Sequence, residues 1–176
     1  IDGSTGAGGD SVQIVNAATI GTGGNVEIDG DGSVAIGGAV TSTGGNVDVT
    51  TNDLITVTTA GSIDTSGGGG DITIESTVTG AAITGVQVDV EGGLSAGTGA
   101  VTLTAGDGTT NADLRIAATV TGADITVNSD DQINTTAAGD LTATNAIILS
   151  DNVNGGAASI SAIEGDLSAG AGGVTL

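Results

Sequence analysis

Val47-Asp-Val-Thr-Thr-Asn-Asp-Leu-Ile-Thr-Val-Thr-Thr-Ala-Gly61 is written a second time in this chain. It aligns without a gap on Ile125-Thr-Val-Asn-Ser-Asp-Asp-Gln-Ile-Asn-Thr-Thr-Ala-Ala-Gly139, displaced by 78 residues (47 to 125). Farther on, Leu94-Ser-Ala-Gly-Thr-Gly-Ala-Val-Thr-Leu103 returns as Leu167-Ser-Ala-Gly-Ala-Gly-Gly-Val-Thr-Leu176, displaced by 73 (94 to 167). Residues 47–103 therefore recur in 125–176, with small insertions absorbed between the matching parts. Self-similarity of this length is the signature of a stacked array.

Within the repeat, apolar residues alternate with polar ones. Triplets of this kind run along the chain: Val12-Gln-Ile14, Val26-Glu-Ile28, Val34-Ala-Ile36, Val47-Asp-Val49, Ile55-Thr-Val57 and Ile72-Thr-Ile74. They continue as Val86-Gln-Val88, Val101-Thr-Leu103, Leu114-Arg-Ile116, Ile125-Thr-Val127 and Val174-Thr-Leu176. A period of two means strands with one buried face. No stretch has the spacing of an amphipathic helix, so essentially no α-helix is expected. Apolar centres fall about every seven residues, too close for a hairpin sandwich. A chain turning a corner after each short strand would close a triangular coil in roughly 20–26 residues and stack on itself. The sequence thus predicts an all-β parallel β-solenoid over residues 1–176, a single unit of about 7–8 coils. About three coils would make up each long repeat.

Composition agrees. The 176 residues include 34 glycines and no Pro, Cys, Met, Phe, Tyr or Trp. A core without aromatics must be narrow and regular, filled by layers of Val, Ile and Leu. Gly-Gly-Asx precedes strands at Gly9-Asp10, Gly24-Asn25, Gly45-Asn46 and Gly70-Asp71, with Asp113, Asp124 and Asp140 in the same place elsewhere. Glycine allows φ > 0, and Asn or Asp can bond its own backbone, so these residues are expected to turn the chain. The insertions Ser66–Gly70 and Gly106–Ala112 should bulge from corners. Ile1-Asp2 matches Ile63-Asp64, and Leu176 ends in the phase of Leu103. The chain reads as a segment of a longer polypeptide, its partners being continuing coils of the same chain or further copies end to end.

The formal charge is −20, from 21 acids against the single cation Arg115. That excludes nucleic acid, which needs a basic footprint, and an anionic membrane surface. No apolar run is long enough to span a bilayer, so membrane insertion is not expected. Positive mean hydropathy and periodic apolar residues argue against disorder.

Chemistry is limited by what is missing. Without His, Cys or Lys there is no Ser-His or Cys-His pair, no Schiff-base lysine and no imidazole metal site. Asp29/Asp31 and Asp130/Asp131 are the obvious carboxylate pairs. A glycosidase would use such a pair, but sugar subsites rely on aromatic platforms. A lyase would need a base, and only Arg115 is present. Acids on solvated turns are the plainer reading, so no catalytic, cofactor-binding or metal residues are assigned. Calcium is the alternative to no cofactor. Ile28-Asp-Gly-Asp-Gly-Ser33 opens like an EF-hand loop, but Val34 and Val40 stand where Gly and Glu are required. Thr-x-Thr pairs occur at Thr41/Thr43, Thr56/Thr58, Thr77/Thr79, Thr102/Thr104, Thr119/Thr121 and Thr142/Thr144. Chance placement of 28 threonines gives about four to five pairs, so six carry no signal.

The Gly-Gly-Asn-Val-x-Val strands, Thr- and Ala-rich coils and missing Cys resemble the β-helical shafts of filamentous-haemagglutinin-like exoproteins and giant repetitive bacterial surface adhesins. The resemblance implies a right-handed parallel β-helix, export to the cell surface, and a structural or adhesive role as extracellular rod or fibre, with surface glycans or matrix as partners. The alternative is a binding module recognising glycan or ice on one solenoid face.

Overall fold

The computed structural model describes residues 11–20, 23–78, 84–107, 110–151 and 161–176. Gly9-Asp10, Ile1-Asp2 and Thr79 lie outside the described residues. Among the described residues there is no helix, and 21 short strands follow one another in threes. The first triangle is β1 (Val12–Ile14), β2 (Ala18–Ile20) and β3 (Val26–Gly30); the second is β4 (Val34–Ile36), β5 (Ala39–Ser42) and β6 (Val47–Thr51). The third is β7 (Ile55–Val57), β8 (Ser62–Asp64) and β9 (Ile72–Ser76); the fourth is β10 (Thr84–Val90), β11 (Leu94–Ser95) and β12 (Val101–Ala105). Then come β13 (Asn111–Ile116), β14 (Val120–Gly122) and β15 (Ile125–Ser129), followed by β16 (Ile133–Thr135), β17 (Leu141–Ala143) and β18 (Ala146–Asp151). The seventh is β19 (Ala162–Ile163), β20 (Leu167–Ser168) and β21 (Gly173–Thr175).

Every third strand pairs in parallel with its equivalent in the next triangle, so three seven-stranded sheets run the length of the molecule. We call them the first (β1 to β19), second (β2 to β20) and third (β3 to β21) sheets. This is the parallel β-solenoid that the alternation predicts. Seven rungs are separated by six steps of about 4.8 Å, or roughly 29 Å. The count falls at the low end of the expectation because several coils are longer than 26 residues: Ile55 pairs with Val88, and Ile72 with Val101. The extra residues sit at corners.

The core is built of stacked columns. On the third sheet Val26, Val47, Ile72, Val101, Ile125 and Ile147 lie one above another, as do Ile28, Val49, Ile74, Leu103, Val127 and Leu149. All are buried, most of them at 0% exposure. Their neighbours Asp48, Thr126 and, on the first sheet, Arg115 point outward and are half-buried. Each fully buried aliphatic side chain contributes about 1.5–3 kcal/mol, and stacking like on like leaves no gap for an aromatic ring to fill. The second sheet has one large aliphatic per strand: Val40, Ile63, Leu94, Val120 and Leu141. Beside them the interior holds Ser42, Thr65 and Ala96, because the chain turns there. Ser42 Oγ donates to the Gly24 carbonyl at 2.9 Å and accepts from Gly45 N–H at 3.1 Å. Buried hydroxyls thus satisfy the carbonyls and amides freed at corners. Thr135 does the same, accepting from Glu164 N–H at 3.0 Å and Gly165 N–H at 3.1 Å.

The corner Asx residues act differently from the expectation. No non-glycine residue described has φ > 0. Instead the side chains reach across rungs. Asn25 Oδ1 accepts from Asn46 N–H at 3.0 Å, Asn46 Oδ1 from Asp71 N–H at 3.0 Å, and Asp71 Oδ1 from Ala100 N–H at 2.8 Å. Ala100 interrupts this ladder, and Asp124 resumes it by accepting from Ala146 N–H at 3.2 Å. Asp140 caps Asp166 N–H at 2.9 Å in the same way at another corner. The turning itself falls to glycine. A Cβ on Gly70 would land on the carbonyl of Gly45 in the rung above.

Two further expectations are corrected. Val86 and Val88 do not form one inward pair, because a bulge shifts the register between them and the buried residues are Val88 and Val90. Gly85, with φ +104°, lies beside that bulge. Ser66–Gly70 does bulge from a corner, but Asn111 and Ala112 of the second insertion belong to β13.

Candidate functional site

Asp29 leaves β3 on the outward face and Asp31 lies in the turn that follows; both are exposed. The EF-hand-like opening is therefore split between a strand and a corner. Asp130 is 5% exposed, and its Oδ2 accepts from Thr110 N–H at 3.1 Å and Thr110 Oγ1–H at 2.6 Å. Gly106, at φ +95°, must be glycine here, because a Cβ would fall on that carboxylate. Asp130 is thus a clasp for the corner loop, while its sequence neighbour Asp131 is half-buried and its negative charge acts on Asp113. Among the described residues no group of three or more His, Cys, Asp or Glu has the arrangement to hold a metal ion.

Arg115 binds two acids, Asp89 and Glu91. Its Nη1 lies 2.7 and 3.0 Å from the Asp89 carboxylate oxygens, and its Nη2 3.1 Å from Glu91 Oε1. Asp89 is the paired residue on the adjacent strand. Burial raises the Asp89 carboxyl above its usual range; the guanidinium opposes this without cancelling it, and Glu91 adds to the rise. The guanidinium is committed to this cluster and is no free base.

Asp113 stands at the entrance to the core segment of β13. Its Oδ1 is buried and has no hydrogen-bond partner. Its carboxyl is raised by burial first and by the charge of Asp131 next; a backbone bond from Gln132 lowers it, and Asp151 raises it further.

The Thr-x-Thr pairs are dealt to different faces. Thr41, Thr121 and Thr142 are on the second sheet, where Thr121 and Thr142 are paired neighbours, Thr56 is on the first, and Thr102 and Thr104 are on the third. They do not align into one ladder. Compared with family models, with curated proteins and with solved structures, the chain matches none. Its surface must be read on its own terms.

On those terms the third sheet is the broadest face, since most of its strands run five or six residues and show two outward columns. Its first three rungs carry Glu27, Asp29, Asp48 and Glu75. From the fourth rung on, β12, β15 and β18 present Thr102, Thr104, Thr126, Asn128, Ile148 and Ser150. That half-face carries no charge on its strand centres. Sequence reading missed it, although the substitution of Asp48 by Thr126 between the two repeats carries the signal.

Proposed function

We propose that this chain is a segment of an extracellular structural or adhesive rod without catalytic activity, akin to the shafts of filamentous-haemagglutinin-like surface proteins. One observation supports this above others: six successive rungs reuse the same buried columns while their outward residues vary freely. Such an architecture scales in length by adding rungs, each contacting its neighbours, and gives reach without enclosing a reaction site. The carboxylate pairs serve corners or face solvent, and the guanidinium is held by two acids, which fits a scaffold better than an enzyme.

The reading is tested by small-angle scattering on this segment and on two copies joined in frame, with antibody labelling of intact source cells. A rod keeps its cross-sectional radius on tandem joining while its length doubles, and surface display gives labelling without permeabilisation. A globular increase in all dimensions, or labelling only after lysis, would contradict it.

A further inference from the structure

We propose that the corner joining the third sheet to the first, where Asp113, Asp131 and Asp151 stand at three successive turns, is a proton-operated joint that ties rungs five and six together in acid and loosens at neutral pH. The proposal concerns this corner alone and holds whether or not the rod is adhesive.

The corner is assembled from pieces distant in sequence. Asp113 opens the core segment of β13, and the turn at 130–132, between β15 and β16, lies next to it. Asp131 N–H donates to the Ala112 carbonyl at 3.1 Å and Leu114 N–H to the Gln132 carbonyl at 2.8 Å, so these two bonds bracket Asp113. Asp151 ends β18 as the paired neighbour of Ser129 on β15. Ser161 Oγ extends the connection, donating to Asp151 Oδ2 at 2.7 Å and accepting from Ile133 N–H at 3.1 Å. The sequence pair Asp130/Asp131 divides its work here: Asp130 is tied to Thr110, while the charge of Asp131 acts on Asp113.

Geometry sets Asp113 apart. Among the described residues its Oδ1 is the one buried side-chain polar atom without a hydrogen-bond partner. An ionised oxygen in that position forfeits its hydration, and a neutral carboxyl forfeits far less. The charges that face it are of one sign. Asp131 comes from the corner before β16 and Asp151 from β18, and Asp107 and Asp130 lie in the adjoining turns. On β10 its partner is Val86, and toward β16 the side chains are the amides Gln132 and Asn134. Arg115, two residues along β13, is held by Asp89 and Glu91. With the single cation of the chain engaged elsewhere, uptake of a proton relieves both the burial and the repulsion. The raised carboxyl of Asp113 agrees, burial being the first cause and Asp131 the second. A raised folded value makes this contribution complete below the ordinary carboxylate value of about 3.9, and it is lost as pH rises through the folded value. A uniform relief of the net charge would strengthen every rung alike. This joint strengthens the contacts between rungs five and six first.

The test is amide hydrogen exchange by NMR on the intact chain at pH 7 and about pH 4.5, expressed as protection factors so that the intrinsic effect of pH is removed. The Asp131 and Leu114 amides report on the joint. The Val34 and Thr58 amides, which donate to the Leu54 and Ile36 carbonyls, report on rungs two and three. On acidification protection at Asp131 and Leu114 should rise severalfold more than at Val34 and Thr58. Asp113→Asn should give the higher protection already at pH 7 and remove most of its pH dependence, and Asp131→Asn should remove part of it. Asp48→Asn, three rungs or about 14 Å along the solenoid and beyond the screening length of about 10 Å at 0.1 M salt, should change neither. The Asp113 carboxyl carbon should titrate above the ordinary value of about 3.9. Protection that rises equally at all four amides, or that keeps its full pH dependence in Asp113→Asn, would overturn the proposal. So would an Asp113 carboxyl that titrates at or below the ordinary value.

Discussion

Asp48 and Thr126 stand in one outward column of the third sheet, exactly three rungs apart, linked through Thr73 and Thr102. They are equivalent positions of the internal repeat, separated by 78 residues of chain and about 14 Å of solenoid. The residues flanking each, Val47 and Val49 or Ile125 and Val127, are all fully buried. Repetition has kept the inside and released the outside, including its charge.

Core and surface should therefore answer very differently to one added or removed charge. Val49→Asp places an unpaired carboxylate in the interior and should cost several kcal/mol, enough to unfold part of the rod. Asp48→Asn, one residue away, should be silent or mildly stabilising. Thermal melts that ranked the two the other way would reverse the facing assignment.

Glycine is required at some corners and incidental at others. Gly70→Ala would drive a Cβ into the backbone of Gly45 and should cost about 1–3 kcal/mol. Gly67→Ala meets nothing nearer than the Thr43 Cα at 3.9 Å and should be neutral or stabilise by up to about 1 kcal/mol. Chemical denaturation of the two variants checks this.

The Asx ladder makes a paired prediction. Asn46→Ala removes the acceptor for Asp71 N–H and should cost about 0.5–1.5 kcal/mol, toward the lower end because water reaches the site. Ala100→Asn fills the break in the ladder and should gain a similar or smaller amount. Equal melts for the wild type and both variants would mean that these bonds hold no register.

Acid should stabilise the fold. Both carboxylates with displaced titration, Asp89 and Asp113, are raised, each by burial first. A raised folded value means the folded state binds protons more readily than the unfolded one. That contribution is complete below the ordinary carboxylate value of about 3.9 and is lost as pH rises through the folded value. Melting temperature should rise as pH falls from 7 toward about 4. Asp113→Asn should raise it at pH 7 and make less difference at pH 4. Melts at matched ionic strength in NaCl, magnesium and calcium complete the test, with calcium acting no more strongly than magnesium.

The fold was legible in the sequence where two large aliphatics flank a polar residue, as at Val47-Asp-Val49 on the third sheet and Ile55-Thr-Val57 on the first. The second sheet was faint because its strands bury one large side chain beside Ser42, Thr65 or Ala96, which alternation alone does not flag. The bulge at Val86/Val88 was hidden, since both valines fit the period. The cross-rung bonds of Asn25, Asn46 and Asp71 and the double engagement of Arg115 depend on register between residues 21 to 29 positions apart. No local pattern contains that register. The uncharged half of the third sheet was hidden for the same reason, because it exists only once the rungs are stacked.

The central claim is that one coil, whatever its length, advances the molecule by one rung. The chain has no native cysteine, so spin labels can be placed cleanly at Glu27→Cys paired in turn with Thr102→Cys, Thr126→Cys and Ile148→Cys. These sites share one outward column at three, four and five rungs from Glu27. Electron-spin distance measurement should give separations rising linearly, near 14, 19 and 24 Å before label width, by about 4.8 Å per rung. Distances that follow residue count instead of rung count, or that fail to increase along the series, would contradict the solenoid.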